Sequence, residues 1–236
     1  MTNLNFDIHA QPNDMTCGPT CLHSVYRYYG IDQPLDTIIN EVAQLDDGGT
    51  LAVQLACHAL QRGFAARIYT YNLRVFDPTW FDRPGVDLTE RIEAQMQVKS
   101  DPKLLAASQG YLDYLAFGGE LVFEELSRSL IRRYLKRGLP ILTGLSATYL
   151  YRCPREVDVE PGRMNYDDLR GEPTGHFVVL CGYDQQHKQV LVADPLSPNP
   201  LSSEQLYHIP IDRLLNAILL GIMTYDANLL ILQPAD

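Results

Sequence analysis

The sequence predicts an α+β fold, with a helical half at the front of the chain packed on an antiparallel sheet built from its second half. Three observations carry this expectation. Behind Cys17, the residues Cys21, Val25, Tyr28 and Tyr29 recur at helical spacing until Gly30 ends the run. Residues 72–137 hold three more runs of helical periodicity with start and stop signals. From Pro140 onward the pattern changes to short apolar runs, and two of them, 175–183 and 189–195, flank the polar turn 184–188 as a β-hairpin would.

The elements follow in order. Thr16 stands at the N-cap position of the first helix, 17–29, and Pro19 falls in its first turn, where a missing N–H costs little. Cys17 therefore lies where the positive end of the helix dipole favours thiolate over thiol, whereas Cys21, one turn further on, points to the apolar face. A short second helix covers 36–42. The loop Asp46-Asp47-Gly48-Gly49 follows; its paired acids read as solvated loop charges rather than metal ligands, and Thr50 is placed to cap a third helix. Val53, Ala56, Cys57 and Leu60 share a face of that helix, Gly63 ends it, and 65–71 alternates like a strand.

Within 72–137, Asp87 and Glu90 form a capping-box-like start to a helix reaching about Val98. Asp101-Pro102 opens a second that breaks at Gly118-Gly119, and Glu124-Glu125 opens a third that Gly138 stops. The last is basic at its end (Arg132, Arg133, Lys136, Arg137), as the dipole favours, and those charges read as a solvated face. An aromatic, proline-punctuated loop from Phe76 to Gly85 holds the single tryptophan, Trp80. Then come a buried strand over 140–145, a long irregular loop over 146–175, the hairpin, a helix carrying Leu214, Leu215 and Ile218, and a last strand near 227–232. The hairpin strands are apolar on both faces, hence central in their sheet. The whole, residues 1–236, reads as one domain with a helical insertion at about 72–137. That insertion is expected to cap the cleft, with Trp80 along the substrate path; the alternative is that its aromatics only anchor it to the core.

Composition narrows the function. A hydrophobic fraction of 46% and a charged fraction of 20% are those of an ordinary globular protein. A formal charge of −10 with no basic patch argues against a nucleic-acid partner. No apolar run is long enough to span a bilayer, and the polar start Met1-Thr2-Asn3-Leu4-Asn5 is unlike a signal peptide, so no membrane partner and a cytoplasmic location are expected. The five cysteines are odd in number and scattered, which suggests thiols rather than a disulfide framework.

The chemistry concentrates on four residues. A hairpin turn centred near residue 185 sets His176 and Asp194 almost opposite each other, so the carboxylate can hold one imidazole nitrogen and leave the other to take a proton from Cys17. That is the nucleophile, base and orienter logic of acyl-transfer sites. Gln11 can add a side-chain N–H to the Cys17 backbone N–H as an oxyanion hole. Taken singly, His176 could be a core histidine bonded to backbone and Asp194 a turn residue before Pro195. A zinc site from Cys17, Cys21 and His176 lacks an evident fourth ligand. His58 reads as packing, and His9, His23, His187 and His208 are isolated. No metal or organic cofactor is called for.

A glutamine, then Cys-Gly-Pro at a helix start, then Gly175-His176 opening a strand, then Ala193-Asp194-Pro195 ending its partner: this order resembles the papain-like cysteine peptidase superfamily, in particular the bacteriocin-processing, double-glycine-leader peptidases and their stand-alone relatives. The resemblance covers 8–71 and 138–232. It implies a papain-like fold, Cys17 as nucleophile, His176 as base, Asp194 as orienter and Gln11 in the oxyanion hole of a cysteine-dependent hydrolase acting on a peptide or amide. The exporter-linked members precede membrane-spanning and ATPase domains that these 236 residues do not contain, so leader cleavage after Gly-Gly is not carried over. The superfamily also includes acyltransferases and transglutaminases with the same triad, and a non-catalytic peptide-binding module would keep the fold. Oligomeric state is not readable.

Overall fold

A computed structural model describes residues 2–45, 48–160 and 163–235. Asp46 and Asp47 lie outside the described residues. The chain runs β1 (Thr2–Asn3), α1 (Cys17–Tyr28), α2 (Leu35–Glu41), α3 (Ala52–Gln61), β2 (Phe64–Thr70), α4 (Thr79–Asp82), α5 (Leu88–Val98), α6 (Pro102–Ala116), β3 (Glu120–Val122) and α7 (Arg128–Leu135). It continues through β4 (Ile141–Ser146), α8 (Ala147–Tyr151), β5 (Glu156–Glu160), β6 (Arg163–Tyr166), β7 (Gly175–Asp184), β8 (Gln189–Ala193), β9 (Leu206–Pro210), α9 (Ile211–Leu220), a 3₁₀ turn at Gly221–Thr224 and β10 (Asn228–Pro234).

One sheet organises the fold, in the order β3-β2-β10-β4-β7-β8-β9, with β1 pairing on β7. All its pairs are antiparallel except β2 with β3. The hairpin strand β7 is central, as its apolar faces require: Phe177, Val179 and Cys181 enter one core and Val178 and Leu180 the other. The first core lies under α1, α2, α3, α5 and α6; the second lies under α7, α8 and α9. The expected helical half is thus one of two helical layers flanking the sheet.

Local signals account for most boundaries. Asp87 accepts Thr89 N–H at 2.8 Å and Asp101 accepts Leu104 N–H at 3.0 Å, capping α5 and α6. Glycines at positive φ follow several helices, among them Gly63 at 80° and Gly118 at 84°.

Other expectations need correction. The helix expected from Glu124-Glu125 begins instead at Arg128, because Ser127 is the cap and accepts Leu130 N–H at 3.1 Å. The stretch before it supplies β3. Thr50 does not cap α3: Gln54 reaches back to the Leu51 N–H at 2.8 Å, and the Thr50 hydroxyl is buried without a partner. Residues 146–175 are not irregular throughout, since they hold α8, capped by Ser146, and the β5–β6 hairpin. The short strands β1 and β9 were not legible either.

Residues 72–137 are bound into the body of the protein. Phe76 is 1% exposed and meets Tyr111 edge-on at 4.6 Å between ring centroids. Trp80 stands edge-on to Phe76 at 6.4 Å and packs, half-buried, against the first core. Helix α6 lies along α3, and β3 extends the sheet at β2.

Candidate active site

Cys17 is the first residue of α1, so its backbone N–H has no partner within the helix. The chain is held there by a turn rather than by the expected cap. Thr16 makes no side-chain cap; its hydroxyl donates back to the Asn13 carbonyl at 3.0 Å, while Asn13 Oδ1 accepts Met15 N–H at 3.0 Å. Gly18 lets α1 sit close to its neighbours, since a Cβ there would meet Leu55 and Phe177 at 3.3 Å. Cys21 is fully buried, and its Sγ–H donates to the Phe177 carbonyl at 3.3 Å. Burial, then the charges of Cys17 and Asp194, push its thiol well up. The second cysteine is therefore bound to the start of β7 and is no nucleophile.

The hairpin brings His176 and Asp194 together by a different register from the one expected. Asp184 pairs with Gln189, and a bulge at Cys181 leaves Val179 opposite Ala193. Continuing this register puts Asp194 opposite Val178 and His176 two residues further along. The two are diagonal neighbours rather than opposed ones, on the face that carries Val178, Leu180 and Val192, and long side chains bridge that spacing. His176 Nε2–H donates to Asp194 Oδ1 at 2.8 Å. That leaves Nδ1 as the ring's second nitrogen, and Cys17 is close enough to act on the ring electrostatically.

Both members of the pair are buried, His176 at 6% exposure and Asp194 at 0%. Burial alone would discharge the ring; the Asp194 charge and its bond, with a further contribution from Cys17, reverse this and hold the imidazole charged up to about 10. Asp194 is likewise opposed by burial and held below the usual carboxylate range by His176⁺ and by Tyr207 and Leu196 donors. Its oxygens are well supplied. Oδ1 also accepts Leu196 N–H at 3.0 Å, and Oδ2 accepts Tyr151 O–H at 2.8 Å, Asn199 Nδ2–H at 2.8 Å and Tyr207 O–H at 2.6 Å.

Gln11 reaches this corner because its backbone N–H donates to the Pro195 carbonyl at 2.8 Å, next to Asp194. Its Nε2 donates to the Asn13 carbonyl at 3.0 Å. A cleft of about 380 Å³ opens here, lined by Gln11, Asp14, Ala147, Tyr151, Glu156, Asn165, Tyr166, Thr174, Gly175, His176 and Leu196. No residue of 72–137 is among these, so Trp80 lies off the cleft that holds His176. The walls come instead from α8 and the β5–β6 hairpin, within residues 146–175. Of the residues read from sequence, His176 and Asp194 are bonded to each other, Cys17 lies near enough to act on the His176 ring, and Gln11 shares the cleft with His176.

The remaining candidates fall elsewhere. His58 is bonded through Nδ1 to Tyr26 at 2.8 Å and through Nε2 to Glu41 at 3.3 Å, in a partly buried polar cluster with Arg62. His23 bonds the Gln33 carbonyl, and His187 bonds Asp184 at 2.7 Å. Among the described residues no group of three His, Cys, Asp or Glu side chains is disposed to hold a metal. Tyr151, Asn199 and Tyr207 were missed by sequence reasoning, because nothing in their local pattern marks a hydroxyl or amide that bonds a residue on another element.

A family model described as the Peptidase_C39 like family matches residues 3–212. The chain belongs to this family. It is a papain-like cysteine peptidase, and the matched range spans 72–137. A C39-like peptidase from Bacillus anthracis superposes with a TM-score of 0.53 over 100% of both chains at 15% identity, which shows a common fold. A double glycine motif protease from an AMS/PCAT transporter, solved with its leader peptide, gives 0.47 at 14% identity, covering 99% of this chain and 95% of its own. Xylellain, a cysteine protease from Xylella fastidiosa, gives 0.45 at 14% identity, covering 100% of this chain and 86% of its own. No curated protein matches the chain. No helix among the described residues is long and apolar enough to cross a membrane.

Proposed function

We propose that this family member cleaves a peptide or amide bond through a thioester on Cys17, with His176 as base, Asp194 as orienter and Gln11 in the oxyanion hole. The observation that carries the reading is the His176 ring, bonded through Nε2 to the buried Asp194 carboxylate and acted on by Cys17 at the start of α1. His176 takes the thiol proton, and Cys17 Sγ attacks the carbonyl carbon. The oxyanion so formed meets the Cys17 backbone N–H at the positive end of α1. An amide nitrogen has two N–H donors. One of Gln11's is fixed on Asn13, and the other remains to serve the oxyanion. The imidazolium then protonates the leaving amine, and water, activated by the neutral ring, resolves the thioester to a free acid and Cys17 thiol. The 380 Å³ cleft suits an extended peptide segment beside the reacting bond. The whole chain, 1–236, works as a single domain on this reading.

Mass spectrometry of products from a peptide and amide library tests the proposal, with Cys17→Ala as control. New carboxyl termini that appear with the wild type and vanish with Cys17→Ala are expected. Products that persist with Cys17→Ala, or none with any peptide or amide, would overturn it. Products captured by added amines in place of water would assign the same site to acyl transfer.

A further inference from the structure

Asp194 has no exposed surface, so it must recover from hydrogen bonds the hydration that folding removes. His176 and the Leu196 N–H occupy Oδ1, and this is enough to orient the ring. Oδ2 is held separately, by hydroxyls from two different elements and an amide from the loop between β8 and β9. Tyr207 stands on β9, opposite Val192 in the neighbouring strand, and donates at 2.6 Å. Tyr151 closes α8 and donates at 2.8 Å, and its ring lies against the His176 imidazole, 5.9 Å between centroids at 53°. It also lines the cleft. Both phenols are driven well above their ordinary titration by burial and by the Asp194 charge, which favours the protonated, donating form.

We infer that Tyr151 and Tyr207 are positioning residues, a pair of hydroxyls that hold Asp194 as a charged, aimed carboxylate and through it set the charge and orientation of His176. The inference rests on the triad reading above. Besides the two tyrosines, the titratable groups that sense Asp194 are His176 from β7 and Cys21 from α1, with Cys17 acting on the ring. A hydroxyl bonded to the ionised carboxylate favours that form, so removing one must raise the pH at which Asp194 takes a proton. A phenol that merely fills space would leave that pH unchanged when replaced by phenylalanine.

The test is a ¹³C-carboxyl NMR titration of the full chain labelled at aspartate, with the Asp194 signal assigned by its loss in Asp194→Asn. Tyr151→Phe and Tyr207→Phe should each raise the Asp194 midpoint by about one pH unit, and the double variant should raise it further. An unmoved midpoint in folded variants overturns the inference. Where a phenylalanine variant fails to fold, 3-fluorotyrosine keeps the ring's shape and makes each phenol a stronger donor; the midpoint must then fall, and an unchanged value overturns the inference too. Alkylation of Cys17 by iodoacetamide in the wild type and in His176→Ala separates the two claims. Alkylation that His176→Ala leaves unchanged refutes the triad reading itself. Alkylation that depends on His176, with an unmoved Asp194 midpoint, refutes only the tyrosine pair.

Discussion

Buried tyrosines do different work in two regions of this chain. In residues 72–137, Tyr114 is 0% exposed, and its hydroxyl lies between main-chain carbonyls, at 2.8 Å from Ala66 O and 2.7 Å from Glu120 O. Those bonds fasten α6 to the β2–β3 edge and end there. Around the cleft, Tyr151 and Tyr207 are buried almost as deeply, yet they converge on a carboxylate whose charge reaches the His176 ring. Burial is common to both regions. The partner separates them: a neutral carbonyl in the first, which satisfies the hydroxyl locally, and an ion in the second, which passes its effect to the reacting groups.

The largest effects belong to the cleft region. His176→Ala should lower turnover by about 10²–10⁴-fold, the usual worth of a positioned acid–base group, with little change in substrate binding. Asp194→Asn should cost less, because an amide can still hold the ring, and it should change the pH profile. Folded His176 is raised to about 10, so the charged ring and its stabilisation of the fold persist from acid pH and are lost as pH rises through about 10. Without the Asp194 charge, burial dominates, and the alkaline limb of kcat/KM should drop toward or below the ordinary histidine value of about 6.5. An alkaline limb unchanged in Asp194→Asn would make the pair structural, like the tyrosines of 72–137.

In that other region the expected effect falls on stability. Phe76→Ala removes a fully buried ring and should cost about 3–5 kcal/mol in urea unfolding, while the folded fraction keeps its kcat/KM. A fall in catalytic efficiency of the folded variant would place 72–137 in the substrate path after all. The smallest effect is expected at the cleft lip. Tyr166 lines the cleft but is 60% exposed, so Tyr166→Ala should leave stability within about 0.5 kcal/mol. Its kcat/KM for a peptide should fall about fivefold, equivalent to about 1 kcal/mol of transition-state binding. Unaltered kcat/KM would mean that the β5–β6 hairpin is not part of the substrate path.

The division of the molecule was legible where local chemistry decides it. Asp87 and Asp101 mark their helices because capping is a short-range hydrogen bond, and the hairpin's two-sided apolar strands announce a central position. Cys17, His176 and Asp194 could be picked out because nucleophile, base and orienter are demanded together. What could not be read depends on partners far apart in the chain. The register of β7 on β8 follows from a bulge at Cys181, which no residue type signals. Strand β3 is only Glu120–Val122 and exists because β2 lies beside it. Tyr151 and Tyr207 look like any other tyrosines until α8 and β9 bring them to Asp194. Trp80 misled for the converse reason: an aromatic loop suggests a binding wall, but Phe76 and Tyr111 turn that loop toward the first core.

The central claim is that one thiol of five is a nucleophile because His176 and Asp194 make it so. Brief exposure to iodoacetamide near neutral pH, followed by peptide mapping, tests this most directly. Cys21 is pushed well up by burial, Cys57 and Cys181 are pushed up to about 12 for the same first cause, and Cys153 is raised by burial and by Glu156. Labelling should therefore fall on Cys17 well before the others, and His176→Ala should abolish that lead. Equal labelling of all five cysteines, or a preference for Cys153, would contradict the account.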